Sequence, residues 1–259
     1  MTDRLRLIRP LQRKLRAPLV ARRAARDHLA LRAVMQDRIR RGDLVIDVGA
    51  HAGDRTALFR ELGARVLALE PQPRMADLLR ERFDSDGGVT VLGKGVAEAP
   101  GFREIAISDS TTVSTMEPEW EEMTTASGRF RNIAWTERIE VEVTTLDLLI
   151  EEYGRPAFIK VDVEGFEPHV FAGMSRPVPA VSFEFVRERP GAAAECVQTL
   201  NALGLSEFNF SDGLRSPALC SNEWMSAAAL IQALAELPDR LSMGDVYARL
   251  PADLSTSPG

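Results

Sequence analysis

Short apolar segments alternate with helical segments along most of this 259-residue chain, and this alternation constrains the fold more than any other feature. The run Leu44–Val48 ends in glycine, which is typical of a buried parallel strand. Further segments of this kind lie at 65–69, 89–92, 158–163, 181–186 and 207–210. Predicted helices at 54–62, 73–83, 145–153, 167–172, 192–203 and 227–236 separate or follow them. Strands separated by helices favour right-handed βαβ units, so the sequence predicts a doubly wound α/β fold with a mostly parallel sheet.

The alternation is interrupted after the third predicted strand. Segments 101–108 and 138–144 have an extended, alternating pattern, which indicates a β-containing insertion. Between them, residues 109–137 are rich in Ser, Thr, Glu and Met, and we expect a lid or substrate loop. Its apolar residues would exclude water from the acceptor: Met116, Trp120, Met123, Phe130 and Trp135. Its glutamates argue against an anionic substrate at that rim: Glu117, Glu119, Glu121 and Glu122. A surface loop or an oligomer contact is the alternative.

The net charge of −6 is unevenly distributed. Residues 1–41 hold thirteen Lys/Arg and three Asp/Glu, a local +10, so the remainder has −16. An acidic domain argues against a nucleic-acid partner. The basic leader predicts a helix over 22–41 that packs one face on the domain, or else meets a membrane surface or a protein partner. Its apolar stripe is Leu29, Ala33, Val34 and Ile39.

Cysteine content and apolar run lengths indicate a cytoplasmic protein. Cys196 and Cys220 offer no disulfide framework, and no apolar run is long enough to cross a bilayer. The Arg-rich N-terminus has no signal-peptide core. We expect a helical leader over 1–41, one domain over 42–250 and a frayed tail over 251–259.

The ends of the first two strands carry the features of a cofactor site. Gly49 and Gly53 suit a tight turn that a ligand can approach closely. Their Gly-x-x-x-Gly spacing differs from that of dinucleotide-binding loops and suits S-adenosylmethionine, which has no phosphate. Glu70 ends the second strand, where a carboxylate can accept two ribose hydroxyls, although it can also cap the next helix. The buried Asp47 can accept from the glycine-loop amides or from the cofactor's amino group.

Several of these strings resemble the FkbM family of class I methyltransferases. The resemblance rests on Val45–Gly53, Leu69–Pro71, Thr145–Asp147, Phe158–Glu167, Phe183–Glu184 and Gly244–Ala248. It covers about residues 42–250 and departs from the family at His51, where Asn is frequent. It implies a seven-stranded class I fold and O-methylation of a hydroxyl on a sugar, polyketide or similar small metabolite. The expected cofactor contacts are Asp47, Gly49, Ala50, His51, Gly53, Glu70, Pro71, Gly95 and Val96.

The reaction site is expected around the segment Lys160–Glu164. Strand alternation would put Lys160, Asp162 and Glu164 on one face, as a site edge or as a structural ion pair. Asp162 or Glu164 is the expected general base, and His169 is an alternative. Mg²⁺ bound by Asp162, Glu164 and Glu184 is a less favoured alternative, because no second cluster of ligands is evident. Other readings are an NAD-dependent oxidoreductase and a catalytically silent S-adenosylmethionine-binding scaffold.

Overall fold

The computed structural model of this protein describes residues 26–110, 113–126, 133–213, 216–238 and 243–251. The predictions for residues 1–25 of the leader, for Phe130 and for residues 252–259 of the tail lie outside these ranges.

The described residues form an alternating series of strands and helices. The strands are β1 (Leu44–Val48), β2 (Arg65–Leu69), β3 (Val89–Leu92), β4 (Gly95–Val96), β5 (Gly101–Ser108), β6 (Trp135–Thr144), β7 (Phe158–Val161), β8 (Ala180–Val186), β9 (Glu207–Asp212), β10 (Ser216–Leu219) and β11 (Met243–Arg249). The helices are α1 (26–36), α2 (Asp54–Glu61), α3 (Pro73–Phe83), α4 (Pro118–Ala126), α5 (Leu146–Tyr153), α6 (Glu167–Ala172), α7 (Pro190–Ala202) and α8 (Ala227–Ala235).

The main sheet has the strand order β10-β9-β11-β8-β7-β1-β2-β3. The five strands from β8 to β3 are parallel, as the alternation predicts. β11 runs antiparallel to both of its neighbours. The sheet has eight strands, not the expected seven, because residues 216–219 turn back and pair antiparallel with β9 at the edge.

Both faces of the central strands are buried, which explains their nearly continuous apolar sequence. Along β1, Ile46 and Val48 pack into one core and Val45 into the core on the opposite face. Helix α1 covers this second core with Leu31, Val34, Met35 and Ile39. The predicted stripe is therefore partly wrong: Leu29 is 65% exposed and Ala33 is also exposed, because the helix turns Leu31 and Met35 inward instead.

The insertion after β3 is a separate three-stranded sheet with the order β4-β6-β5. The long antiparallel pair β5–β6 joins the two segments with the extended pattern. The region between them is not a bare loop, because it contains α4. Trp120 of this helix is 1% exposed and packs with Val113 and Val186 in a small core of its own.

Among the helices of the described ranges, none is long and apolar enough to cross a membrane.

Candidate active site

A cavity of about 180 Å³ opens at the carboxyl ends of the parallel strands. This is where doubly wound sheets bind ligands. Its described lining comprises Gly49, His51, Glu70, Pro71, Gln72, Ile105, Ser114, Met116, Asp162, Val163, Glu164 and Glu184. Seven of these are expected site residues: Gly49, His51, Glu70, Pro71, Asp162, Glu164 and Glu184.

The strand ends are fixed to one another by backbone hydrogen bonds. The amides of Gly49 and Ala50 both donate to the carbonyl of Leu69 at 3.0 Å. The amide of Asp162 donates to the carbonyl of Val48 at 3.0 Å. The floor of the cavity is therefore part of the sheet and not a free loop.

Gly49 is required by the protein's own backbone. It has a φ of +79°, in the left-handed region. A Cβ at this position would lie 1.9 Å from the carbonyl oxygen of Asp162, a separation that no real contact allows. A Cβ on Gly53 would meet Leu79 and Phe83 at 2.7 Å. Both glycines thus make room for neighbouring parts of the chain, and their close approach by a ligand stays a prediction.

Glu70 is 2% exposed and holds the loops on either side of it. Its Oε2 accepts the amide of His51 at 2.9 Å, and its Oε1 accepts the amide of Gln72 at 2.9 Å. Burial raises its pKa to about 7, although these hydrogen bonds oppose the shift. The side chain of Gln72 also hydrogen-bonds to this carboxylate. A carboxylate has about four acceptor sites, so a ligand hydroxyl can still donate to it.

Asp47 is 1% exposed and accepts the hydroxyl of Thr56 at 2.6 Å. Burial raises its pKa to about 6. Since Gly49 and Ala50 donate to Leu69, the interpretation that these loop amides bind Asp47 is wrong. Asp47 does not line the cavity, and its contact with a cofactor stays a prediction.

The remaining expected cofactor residues lie around the cavity and not in its wall. Ala50 and Val96 are buried among apolar residues. Gly53 is the N-cap residue of α2. Gly95 pairs with Val143 in the insertion sheet, where a Cβ would meet Met116 at 3.0 Å. Direct cofactor contacts by these residues stay predictions.

Asp162, Glu164 and Glu184 converge at the cavity, with one carboxylate oxygen of each within 4.8 Å of the others. They do not converge through strand alternation, because β7 ends at Val161. Glu164 instead has a φ of +53°, which turns the chain at this point. Burial raises the pKa of Glu184 well above its usual range, and the negative charges of Asp162 and Glu164 raise it further.

Lys160 lies beneath this cluster, with its side chain 3% exposed. Its Nζ lies 3.1 Å from Oδ2 of Asp162 and 3.0 Å from Oδ1 of Asp245. Burial alone would lower its pKa, but these two carboxylates outweigh burial and raise it. The anticipated ion pair is therefore present, and Asp245, on β11, is a second partner that no local pattern around Lys160 indicates. Lys160 does not line the cavity.

His169 is about half exposed on α6 and does not line the cavity. Its ring stacks on Phe166 with centroids 4.4 Å apart. Its Nδ1 lies 3.3 Å from Glu98, and its Nε2 lies 3.7 Å from Glu117. These contacts fit a residue that joins surface segments, so its role as the base is less favoured than that of the cavity carboxylates.

Three glutamates of the insertion pair with arginines. Arg189 lies 3.6 Å from Glu117 and 3.1 Å from Glu119. Arg138 pairs with Glu121. Each of these arginines is shared between two glutamates, since Arg138 also pairs with Glu104, so the rim keeps a net negative charge and the argument against an anionic substrate stays a prediction.

Residues 113–117, which we call the strap, cross the rim of the cavity. Thr115 forms two backbone hydrogen bonds with Ala106 of β5, at 2.8 and 3.0 Å. Its hydroxyl donates to the backbone carbonyl of Glu164 at 2.7 Å. Ser114 donates to Oε1 of Gln72 at 3.2 Å. Sequence reasoning missed Gln72, Ile105 and Ser114 as site residues, because nothing local to them indicates that the insertion folds against the strand ends.

A family model described as "Methyltransferase FkbM domain" matches residues 47–204. The hexuronic acid methyltransferase AglP of Haloferax volcanii is 27% identical over 161 residues, which are 61% of this chain and 61% of that protein. A chloroplastic ribosomal RNA small subunit methyltransferase of Arabidopsis thaliana is 41% identical over 54 residues, 21% of this chain and 16% of that protein.

The chain thus matches less than two thirds of the length of either curated relative. Among solved structures, the precorrin-6y C5,15-methyltransferase of Geobacter metallireducens is 11% identical and superposes with a TM-score of 0.43. That alignment covers 84% of this chain and 87% of the other.

Proposed function

This chain belongs to the FkbM methyltransferase family, and from that premise we propose that it transfers a methyl group from S-adenosylmethionine to a hydroxyl of a small metabolite. The observation that carries the proposal is one cavity with two functional parts. Glu70 is positioned to accept ribose hydroxyls, and Asp162, Glu164 and Glu184 meet at the same cavity.

The cavity fits the chemistry of this cofactor. S-adenosylmethionine, when bound, supplies a methyl group on a positively charged sulfur. Glu70 can receive a ribose hydroxyl, because the backbone amides of His51 and Gln72 fix its two oxygens in place. The carboxylates favour a cation at their end of the cavity. The Gly-x-x-x-Gly spacing of Gly49 and Gly53 differs from that of dinucleotide-binding loops.

The chain's contribution to methyl transfer is to orient the acceptor and to remove its proton. Asp162 and Glu164 are the proposed proton acceptors, since both line the cavity. Lys160 fixes Oδ2 of Asp162 from beneath and is itself fixed by Asp245. Lys160 is therefore proposed as a positioning residue, although the sequence placed it among the catalytic ones.

We propose a sugar hydroxyl as the first acceptor to test, ahead of polyketides and other metabolites. The archaeal relative is named as a hexuronic acid methyltransferase. A hexuronate is an anion, whereas the glutamates of the rim outnumber their arginine partners, so neutral hexoses are tested beside it.

A divalent cation at Asp162, Glu164 and Glu184 is the second candidate for this cluster. The spacing of their oxygens favours it, since Mg²⁺ takes carboxylate oxygens. Lys160 already places a positive charge 3.1 Å from one oxygen of Asp162, which disfavours a second cation at that oxygen. We therefore propose catalysis without a metal.

The partners and location of the protein are further proposals. We propose a cytoplasmic enzyme that acts on a small molecule and not on nucleic acid. Its two cysteines, Cys196 and Cys220, are free, as a reducing compartment requires. The basic leader would provide contact with a membrane surface or a protein partner, and oligomerisation is a further role for the surface of the insertion.

The test begins with calorimetric titration of the full chain with S-adenosylhomocysteine, with NAD in parallel. We expect micromolar binding of S-adenosylhomocysteine alone. Glu70→Ala should weaken it at least tenfold, which is about 1.4 kcal/mol, whereas the exposed control Glu61→Ala should not. Transfer of a labelled methyl group to glucuronate and neutral hexoses then tests the reaction.

Each alternative predicts a different result. Binding of NAD alone would replace the proposal with an oxidoreductase. Binding of S-adenosylhomocysteine without transfer to any hydroxyl acceptor would favour the silent scaffold. Binding of neither compound would remove the cofactor assignment.

A further inference from the structure

The two oxygens of Glu70 point to two different parts of the cavity. Oε2 contacts the amide of His51, in the glycine loop. Oε1 contacts the amide of Gln72, on the way to α3. A ribose held by Glu70 therefore has the glycine loop on one side and Gln72 on the other, and the rest of the cofactor must extend in both directions.

The two parts differ in charge. The part next to the glycine loop contains three carboxylates, which suits the sulfonium and the α-ammonium of the cofactor. The second part comprises the uncharged lining residues Pro71, Ile105, Ser114 and Met116, of which Ser114 contacts Gln72. A neutral, flat aromatic base is better matched to these residues than to the carboxylates.

The second part is built largely by the insertion. Ile105 belongs to β5, and Ser114 and Met116 belong to the strap. The strap is held in place at both sides, by the backbone pair of Thr115 with Ala106 and by the bond from Thr115 to Glu164. Ser114 is 7% exposed and Gln72 is 8% exposed, and the hydrogen bond between them holds their polar groups in place.

We propose that the insertion supplies the adenine-binding subsite, with Ser114 as the residue that distinguishes adenine from other bases. This inference rests on the proposed function and extends it to residues that the sequence placed in a lid over the acceptor. Ile105, Met116 and Pro71 contact the faces of the ring. Ser114 contacts its polar edge.

The hydrogen-bonding capacity of Ser114 supports this assignment. A serine hydroxyl has one donor and two acceptor lone pairs. The donor is directed to Oε1 of Gln72 at 3.2 Å, and one lone pair accepts the amide of Ser108 at 3.2 Å. The second lone pair suits a donor, and the 6-amino group of adenine is a donor, whereas the 6-oxo group of hypoxanthine is not.

The test compares S-adenosylhomocysteine with S-inosylhomocysteine, in which hypoxanthine replaces adenine. Both are titrated by calorimetry into the wild type, Ser114→Ala and Thr136→Ala. The last variant is a matched control, because Thr136 also lies in the insertion and donates to a backbone carbonyl, of Ile107, but is exposed and outside the cavity. Thermal unfolding of each variant checks that it is folded.

We expect the wild type and Thr136→Ala to prefer S-adenosylhomocysteine by about threefold to tenfold, as one hydrogen bond allows. Ser114→Ala should lose most of that preference through weaker binding of S-adenosylhomocysteine alone. Equal affinity of the wild type for both compounds, or an unchanged preference in Ser114→Ala, would overturn the assignment. If the wild type binds neither compound, the proposed function fails as well, so the two failures are distinguishable.

Discussion

The raised pKa of Glu70 makes cofactor binding dependent on pH near neutrality. Burial puts this pKa at about 7 in the ligand-free protein. Ribose hydroxyls donate to the carboxylate and therefore favour its ionised form. Cofactor binding should lower the pKa and release a proton, so affinity should increase as pH rises through 7.

The size of the effect follows from the fraction of Glu70 that is ionised. At one pH unit below a pKa of about 7 the carboxylate is roughly one-tenth ionised, and at one unit above it is roughly nine-tenths ionised. Affinity for S-adenosylhomocysteine should therefore increase about tenfold from pH 6 to pH 8, equivalent to about 1.4 kcal/mol.

Three other buried carboxyl groups have raised pKa values and must be separated from Glu70. The pKa of Asp47 is about 6, that of Glu167 is about 7, and that of Glu184, which lines the cavity, is also raised. Calorimetry in buffers of different ionisation enthalpy would measure the proton released on binding. Glu70→Gln should abolish both the release and the pH dependence, whereas Asp47→Asn, Glu167→Gln and Glu184→Gln should retain them. Affinity that is constant between pH 6 and 8, or a slope that survives in Glu70→Gln, would refute the reasoning.

Three further predictions test the glycine loop, the carboxylates and the metal question. Gly49→Ala should lower the free energy of unfolding, measured in urea, by several kcal/mol more than the control Gly42→Ala. Both glycines have a positive φ, but only a Cβ at Gly49 would clash with the backbone. Equal decreases in the two variants would contradict this. Asp162→Asn should leave S-adenosylhomocysteine affinity within about threefold of the wild type while suppressing methyl transfer at least a hundredfold; undiminished turnover would remove Asp162 from the catalytic residues. Methyl transfer should continue at an unchanged rate in the presence of EDTA. If EDTA abolishes the activity and added Mg²⁺ restores it, Asp162, Glu164 and Glu184 are instead assigned as metal ligands.

The buried charges beneath the cavity show how far local sequence reasoning extends. Lys160 and Asp162 are two residues apart on or beside one strand, so their pairing could be anticipated. Asp245 is 85 positions further along the chain, and it reaches Lys160 only because β11 inserts antiparallel between β8 and β9. A polar residue in a late apolar strand has no visible partner until the strand order is known.

Elements that depend on neighbours along the chain could be predicted from the sequence. Short apolar runs separated by helical segments predicted the parallel strands and hence the edge at which Gly49, Glu70 and Asp162 lie, because hydrophobic periodicity and turn chemistry are local properties. The convergence of Asp162, Glu164 and Glu184, the eighth strand and the position of Ser114 against Gln72 were decided by the tertiary structure. They depend on strand order, on the turn at Glu164 and on the packing of the insertion against the sheet, which bring together residues far apart in the chain.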